Sequence, residues 1–202
     1  MAKRPDVLLF DLGGVLLDFS GVEELARLLP APMTADAIKA RWIACPYSTA
    51  YGSGEIDDAA FAQRFLADWG IDMPPAAFLA EYRSWARGWL PGATELLDEL
   101  RPQFRLAALS NSNAAHWTRV VDDLGLADRV EVALSSHEIG VRKPDPRAFA
   151  IALDRLQVPA ADVLFFDDAA GNVAAAREVG MQAALVDGPA AIRRHLRESG
   201  WL

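Results

Sequence analysis

The chain has 202 residues, of which 52% are hydrophobic and 24% charged, a composition typical of a soluble globular protein with one sizeable core. Its formal net charge of −8 argues against nucleic acid or an anionic membrane as the main partner, although a bound metal ion would still admit a small anionic substrate. The single cysteine, Cys45, excludes an internal disulfide and fits a reducing compartment. The N-terminal segment is short and polar, and no apolar run could span a bilayer, so we expect a cytoplasmic protein.

Five short apolar runs predict buried β-strands, because they are continuous rather than alternating. In chain order they are VLLFDL (7–12), FRLAALS (104–110), RVEVAL (129–134), DVLFFD (162–167) and MQAALV (181–186). Helical patterns lie between the later runs, in NAAHWTRVVDDLG, DPRAFAIALDRLQV and GNVAAAREVG. Strands that alternate with helices predict an α/β fold, with a Rossmann-like parallel sheet and helices on both of its faces.

One long segment, residues 20–90, breaks this alternation and contains no convincing strand. It holds amphipathic helical patterns near VEELARLL, ADAIKARWI, DDAAFAQRFLADWG and PAAFLAEYRSWARGWL, separated by turn signals rich in proline and glycine. We therefore predict an all-helical cap, residues 20–89, inserted into a core that consists of residues 1–19 and 90–202.

Polar residues follow the predicted strands at the sheet edge where ligands of open parallel sheets bind. Three carboxylates that meet there would need a cation to stay ionised together, and Mg²⁺ prefers such oxygen ligands. A neighbouring hydroxyl and lysine would suit a phosphate, and an aspartate can attack phosphorus as a nucleophile. The residues at these strand ends are Asp11, Ser110, Asn111, Lys143, Asp167 and Asp168.

The motifs FDLGGVL, LSNSN, GVRKPDP and FFDDAAGN, in that order on those strand ends, resemble the haloacid dehalogenase superfamily. The helical insertion after the first motif is similar to the C1-cap subgroup (subfamily IA) of that superfamily, in its phosphatase-like form. The resemblance covers essentially the whole chain. It implies a magnesium-dependent hydrolase that acts on a small phosphorylated metabolite, such as a sugar phosphate, through an aspartyl-phosphate.

The resemblance also implies a role for each matching residue. Asp11 matches the nucleophile, and Ser110, Asn111 and Lys143 match the residues that bind the phosphate. The implied metal ligands are Asp11, the backbone carbonyl of Gly13, Asp168 and its neighbour Asp167, and Asn172 falls where a polar residue supports the last loop.

Gly13 departs from the family pattern, because most phosphatases of the family carry a second aspartate at this position as the general acid and base. The glycine carbonyl can still bind Mg²⁺, but the acid–base side chain is missing, and nothing in the sequence says what replaces it. A good leaving group would need less of that help.

Two other functions stay open. A metal-independent 2-haloacid dehalogenase also lacks the second aspartate, although in that branch a Ser-Asn stretch usually replaces the acid pair of the last motif. A non-catalytic protein that binds a phosphorylated ligand is the other alternative. The oligomeric state is open as well.

Several polar side chains also have plain structural interpretations. Asp167 could serve as structural support rather than as a metal ligand, and we expect Arg142 to be an exposed loop residue. His116 is expected on the surface or in packing, and His195 on a solvated helix face.

Overall fold

A five-stranded parallel sheet forms the centre of the protein in a computed structural model, which describes residues 3–202. In chain order, the strands are β1 (Val7–Phe10), β2 (Leu17–Phe19), β3 (Ala86–Trp89), β4 (Arg105–Ser110), β5 (Val132–Ser135), β6 (Val163–Asp167) and β7 (Gln182–Leu185), of which β2 and β3 form a separate pair. The order within the five-stranded sheet is β5-β4-β1-β6-β7, and all four neighbouring pairs are parallel. The five predicted strands are those of this sheet, and the expected fold class is confirmed.

Helices divide into a group before β3 and a group after it. The first group is α1 (Gly21–Leu28), α2 (Ala35–Ala44), α3 (Pro46–Gly52), α4 (Asp58–Trp69) and α5 (Pro75–Arg83). The second group is α6 (Ala93–Leu100), α7 (Ala114–Thr118), α8 (Ser136–Ile139), α9 (Pro146–Leu156), α10 (Ala170–Glu178) and α11 (Pro189–Glu198). Within residues 3–202, none of these helices has the length and apolar character needed to cross a membrane.

The continuous apolar strands bury alternate side chains on opposite faces of the sheet. In β1, Leu8 and Phe10 join one hydrophobic cluster, which includes leucines of α6 and α11. Val7 and Leu9 join the other cluster, with side chains of α9 and α10. Helices therefore cover both faces, which explains why the strand sequences show no polar alternation.

The cap helices have a hydrophobic cluster of their own, built largely from aromatic side chains such as Phe61, Phe65 and Tyr82. Local signals set their ends. The Asp57 side chain accepts a hydrogen bond from the amide of Ala60 at the start of α4, and left-handed Gly70 ends that helix. The remaining cap helix, α3, follows directly on α2 and was not predicted.

The prediction of no strand between residues 20 and 90 is wrong for β3. This strand pairs antiparallel with β2, and Leu17 lies opposite Trp89. Its four residues, ARGW, carry no alternating pattern, so the strand depends on its tertiary partner rather than on local propensity. The two-stranded ribbon joins both ends of the cap to the core, while the domain boundaries 1–19, 20–89 and 90–202 stay a prediction.

Two helix predictions need refinement. The pattern NAAHWTRVVDDLG forms α7 followed by a π-helical turn at Arg119–Asp123 rather than one regular helix. His195, predicted on a solvated face of α11, is only partly exposed, because its ring packs edge-on against Phe166 at a centroid distance of 5.7 Å.

The cap contacts the core closely where α3 meets the start of α8. The hydroxyl of Ser136 lies 2.5 Å from the carbonyl oxygen of Gly52, within hydrogen-bond distance. Two residues later, Gly54 has a left-handed backbone (φ +74°), and an added Cβ would overlap the carbonyl oxygen of His137. This part of the cap–core contact therefore requires a residue without a side chain.

We expect Gly54→Ala to lower the free energy of unfolding by about 2–4 kcal/mol, because it combines left-handed strain with the overlap against His137. Gly140→Ala is the matched control. Gly140 also has a left-handed backbone (φ +71°), but nothing lies within 4 Å of its added Cβ, so only strain of about 1–2 kcal/mol applies. Chemical denaturation of both variants measures the difference, and equal losses would contradict the tight contact.

Candidate active site

Two aspartates lie at the carboxyl ends of neighbouring strands, at equal height along the sheet edge. Phe10 of β1 pairs in register with Phe166 of β6, so Asp11 and Asp167 come one residue later on each strand. The backbone amide of Asp11 donates a hydrogen bond to the carbonyl of Phe166 over 2.8 Å. Both carboxyl groups are buried. The parallel register therefore brings together two charges that lie 156 residues apart in the chain.

The ammonium group of Lys143 joins these two carboxylates. Its Nζ lies 2.7 Å from Asp11 Oδ1 and 2.7 Å from Asp167 Oδ2, and the lysine side chain is 1% exposed. Asn111 positions the lysine backbone, because its side-chain amide donates to the carbonyl of Lys143 and accepts from its N–H, each over 2.8 Å. The contact of Asn111 with phosphate stays a prediction, while this positioning role is visible.

Hydrogen bonds within the protein occupy most of the acceptor capacity of the Asp167 carboxylate. Its oxygens accept hydrogen bonds from the amide of Ala169 (2.8 Å) and from the side chain of Asn172 (3.0 Å), besides the bond from Lys143. Asp168 is exposed, and its carboxylate approaches Gly14, where an added Cβ would lie 2.8 Å from Oδ2. This arrangement favours a structural role for Asp167, whereas the carboxylate of Asp168 remains exposed.

The acidic residues fit a divalent cation. Asp11, Asp167 and Asp168 each offer an oxygen, and these oxygens lie within 4.8 Å of one another. Burial raises the pKa of Asp11 to about 6, with Asp167 adding to the rise and Lys143 opposing it. Burial and the Asp167 charge also raise the pKa of Asp168. The single positive charge of Lys143 therefore does not compensate the acidic group, and a hard cation such as Mg²⁺ would.

Gly13 leaves open space at this edge. No heavy atom lies within 4 Å of a Cβ added there, and its backbone does not require glycine. A side chain could therefore occupy this position without strain. The acid–base side chain is missing because residue 13 is glycine, and the structure has space for a side chain there.

A cleft of about 480 Å³ lies between these residues and the cap. Ser110, the last residue of β4, is 7% exposed and lines it together with Asp11 and Lys143. The cap contributes Lys39, Trp42, Ile43, Ser48, Gly52 and Tyr82 to the lining. The cap segment thus covers the strand ends that carry the predicted catalytic residues.

A buried polar contact links the cap to the core at one side of the cleft. His116 Nε2 donates to the carbonyl oxygen of Tyr82 (2.8 Å), and Nδ1 accepts from the side chain of Asn113 (3.0 Å). The Asn113 amide also lies 3.1 Å from the Tyr82 hydroxyl. Burial lowers the pKa of His116 to about 4, so the ring is neutral near pH 7. This histidine is a packing residue, one of the two expected roles.

The polar residues of the cleft that sequence reasoning missed include Lys39, Ser48 and Arg142. The expectation that Arg142 is an exposed loop residue is wrong, since it is half-buried against the cap. Its position next to Lys143 was the only signal in the sequence. Lys39 and Ser48 lie on cap helices whose placement over the site depends on tertiary packing, so no local pattern marks them.

In protein stripped of metal by EDTA, we expect Asp11→Asn to raise the free energy of unfolding at pH 8 by about 1–3 kcal/mol. The pKa of Asp11 is higher in the folded state than in the unfolded chain, so ionisation costs stability as pH rises from about 4 to 6, and the cost remains above pH 6. Asparagine removes that charge, while Lys143 keeps its bond to Asp167.

Denaturant unfolding at pH 4 and pH 8 measures this effect. Asp145→Asn is the control of opposite sign, because Arg147 lowers the pKa of Asp145, whose charge therefore favours folding. An Asp11→Asn variant less stable than wild type at pH 8 would contradict the net excess of negative charge.

Comparison with known proteins agrees with this geometry. Residues 5–180 match the family model of haloacid dehalogenase-like hydrolases. The chain is 32% identical to phosphatase MT3486 of Mycobacterium tuberculosis, over 89% of this chain and 86% of that protein. It is 31% identical to a phosphoglycolate phosphatase of Rhodospirillum rubrum, over 88% and 77% respectively.

A solved structure shares the fold. It is that of a haloacid dehalogenase-family enzyme from Bacteroides thetaiotaomicron, in complex with magnesium and inorganic phosphate. The TM-score is 0.76 at 23% identity, and the match covers 90% of this chain and 93% of that one. The match of the family model over most of the chain shows that the protein belongs to the haloacid dehalogenase-like hydrolases.

Proposed function

We propose that the protein is a magnesium-dependent phosphatase that hydrolyses a small phosphomonoester through an aspartyl-phosphate on Asp11. The observation that carries the proposal is the Lys143 ammonium group, held 2.7 Å from both Asp11 and Asp167 at the base of the cleft. The phosphatase relatives and the acidic group that could hold a cation support it.

In the first step, a carboxylate oxygen of Asp11 attacks phosphorus, and the bond from phosphorus to the leaving oxygen breaks. Lys143 and Ser110 hold phosphoryl oxygens and offset their charge. Mg²⁺, held by Asp11, Asp168 and the Gly13 carbonyl, would neutralise the charge shared by nucleophile and phosphoryl group. In the second step, water attacks phosphorus, which releases inorganic phosphate and restores the Asp11 carboxylate.

The leaving oxygen has no acid at position 13 to protonate it, so it either departs as an anion or takes its proton from another donor. Esters whose leaving group is stable as an anion or weakly basic, such as an anomeric sugar phosphate, are therefore the preferred substrates. The cap would exclude bulk water during the reaction.

The two alternatives receive less support from the site. A metal-independent dehalogenase would not need the group of three carboxylates to which Asp11 belongs. A protein that only binds a phosphorylated ligand would not need a buried nucleophile paired with a buried lysine. Gly13 is compatible with all three functions, so an activity measurement must separate them.

We expect phosphate release from p-nitrophenyl phosphate or a sugar phosphate to require Mg²⁺ and to fall by at least about 10³-fold in Asp11→Asn, because the nucleophile is lost. Exposed Asp72→Asn is the matched control and should keep wild-type turnover. Turnover in EDTA with halide release from 2-haloacids would favour the dehalogenase. Ligand binding with no turnover of any ester would favour the non-catalytic protein.

We expect Gly13→Asp to raise kcat/KM for alkyl phosphates by roughly 10- to 100-fold, because the open space at this position admits the missing general acid. The gain should be smaller for p-nitrophenyl phosphate, whose leaving group needs little protonation. Gly13→Asn tests for a steric or packing effect, since it has the same size and no acid. Equal gains in both variants would show that acid catalysis is not the cause.

A further inference from the structure

A second, half-buried cation lines the cleft, and the phosphoryl chemistry does not use it. Arg142 precedes Lys143 in the loop after α8 and is half-buried. Its guanidinium group packs against α3 of the cap, because a Cβ added to Gly52 would lie 3.4 Å from both Cζ and Nη1. The absence of a side chain at Gly52 leaves room for that group. Arg142 therefore points into the seam between core and cap rather than into bulk water.

This guanidinium has no acidic partner within the part of the chain that the structure describes. Other arginines do, such as Arg105 with Glu131 and Arg193 with Glu99, each over 2.7 Å. Arg142 makes no salt bridge or side-chain hydrogen bond within residues 3–202, and burial lowers its pKa without an opposing carboxylate. A guanidinium group stays protonated under these conditions and carries five donors. An anion that enters the cleft would compensate its partial burial.

A second unpartnered group lies on the same cleft. The hydroxyl oxygen of Ser48, on α3, is buried and has no hydrogen-bond partner within the described residues. Lys39 of α2 also lines the cleft, so the cap brings positive charge toward the site. One acid, Asp18, faces the cleft as well, but it lies 3.9 Å from Arg87. The unpartnered guanidinium group of Arg142 and the unpartnered hydroxyl of Ser48 thus both point to a polar ligand site between the cap and the strand ends.

We propose that Arg142 and Ser48 bind a second anionic group, a carboxylate or a phosphate, on the leaving portion of the substrate. This inference rests on the proposed phosphatase function, in which Lys143 and Ser110 hold the reacting phosphoryl group. Because Arg142 and Lys143 line the same cleft of about 480 Å³, a small substrate with two anionic groups would contact both. The substrate class is therefore a small phosphomonoester that carries a second anionic group.

Matched substrates test this assignment. One pair is 2-phosphoglycolate and 2-hydroxyethyl phosphate, which differ by a carboxylate against a hydroxymethyl group. The other pair is 1,3-propanediol bisphosphate and 3-hydroxypropyl phosphate. We expect wild-type kcat/KM to favour the more charged member of at least one pair by about 10- to 100-fold, the range of a charge-assisted hydrogen bond. The pair that shows the preference distinguishes a carboxylate from a phosphate.

In Arg142→Ala and Arg142→Gln, we expect the ratio of kcat/KM between the two members of a pair to fall to near 1, mainly because KM rises for the substrate with the second anionic group. Ser48→Ala should reduce it by a smaller factor, because a neutral donor contributes less than a charged one. Arg147→Ala is the matched control: this exposed arginine lies four residues beyond Lys143, pairs with Asp145 and should leave the ratio unchanged. If Arg142 only docked the cap, both members of a pair would lose activity equally, which would overturn the inference.

The outcomes also separate this inference from the proposed function. Hydrolysis by wild type with a ratio near 1 in both pairs would overturn the second anion site and leave the phosphatase in place. If wild type hydrolyses no ester, the phosphatase fails, and calorimetric binding to Asp11→Asn in Mg²⁺ decides the anion site by itself. Equal dissociation constants within both pairs would then overturn it, and tighter binding of a charged member that Arg142→Gln abolishes would support it.

Discussion

The Lys143 ammonium group lies between two buried carboxylates, and the chemistry of the sheet edge depends on this contact. Asp11 and Asp167 sit at equal height because β1 and β6 pair in register, and a lysine 1% exposed neutralises only part of their charge. Removal of that lysine would leave uncompensated buried charge, which is strongly destabilising. Asn111 and Asn172 hold the lysine loop and the second carboxylate in place, so residues from four separate segments define one ammonium position. The excess negative charge that remains suits this edge to a metal ion. Burial, with a smaller contribution from Asp167, raises the pKa of Asp11 to about 6.

The cap turns this charged edge into a selective cleft. Its aromatic cluster folds the segment as a separate layer, while the ribbon of β2 and β3 and the contacts around Gly54 attach it to the core. Neutral His116 and Tyr82 complete the attachment without adding a charge near the acidic strand ends. A cap fixed in this way brings Ser48 into the cleft beside the strand ends. Selectivity can then come from the cap, while the reacting groups stay on the rigid sheet.

The sequence predicted the core and the strand-end residues because each depends on a local pattern. A run such as VLLFDL shows both the buried strand and the charge at its end. Strand β3 was missed because ARGW has no alternation and gains its hydrogen bonds from β2, which lies far along the chain. Arg142 was misplaced for a related reason. A loop residue between glycine and proline is usually exposed, and only the packing of α3 against that loop buries its guanidinium group. Cap–core contacts of this kind produce no periodic pattern in the sequence. The residues that line the cleft at this contact could therefore not be predicted from the sequence.

The open space at Gly13 and the unpartnered Arg142 both concern how the proposed reaction barrier is lowered without a general acid. A general acid contributes roughly 10²- to 10⁴-fold to such a reaction, and this chain has room for one but lacks it. Binding energy from a part of the substrate remote from phosphorus can be used to orient the reacting group, and orientation lowers the barrier without any proton transfer. An anionic group held by Arg142 would fix the leaving portion of the ester relative to Asp11 and Lys143. A substrate with a second anionic group would then recover part of what the missing acid forfeits, whereas a phosphomonoester without one would recover nothing. The absence of a side chain at position 13 and the presence of a cation at position 142 are in this sense complementary, and together they favour a narrow class of small phosphomonoesters with a second anionic group over general phosphatase activity.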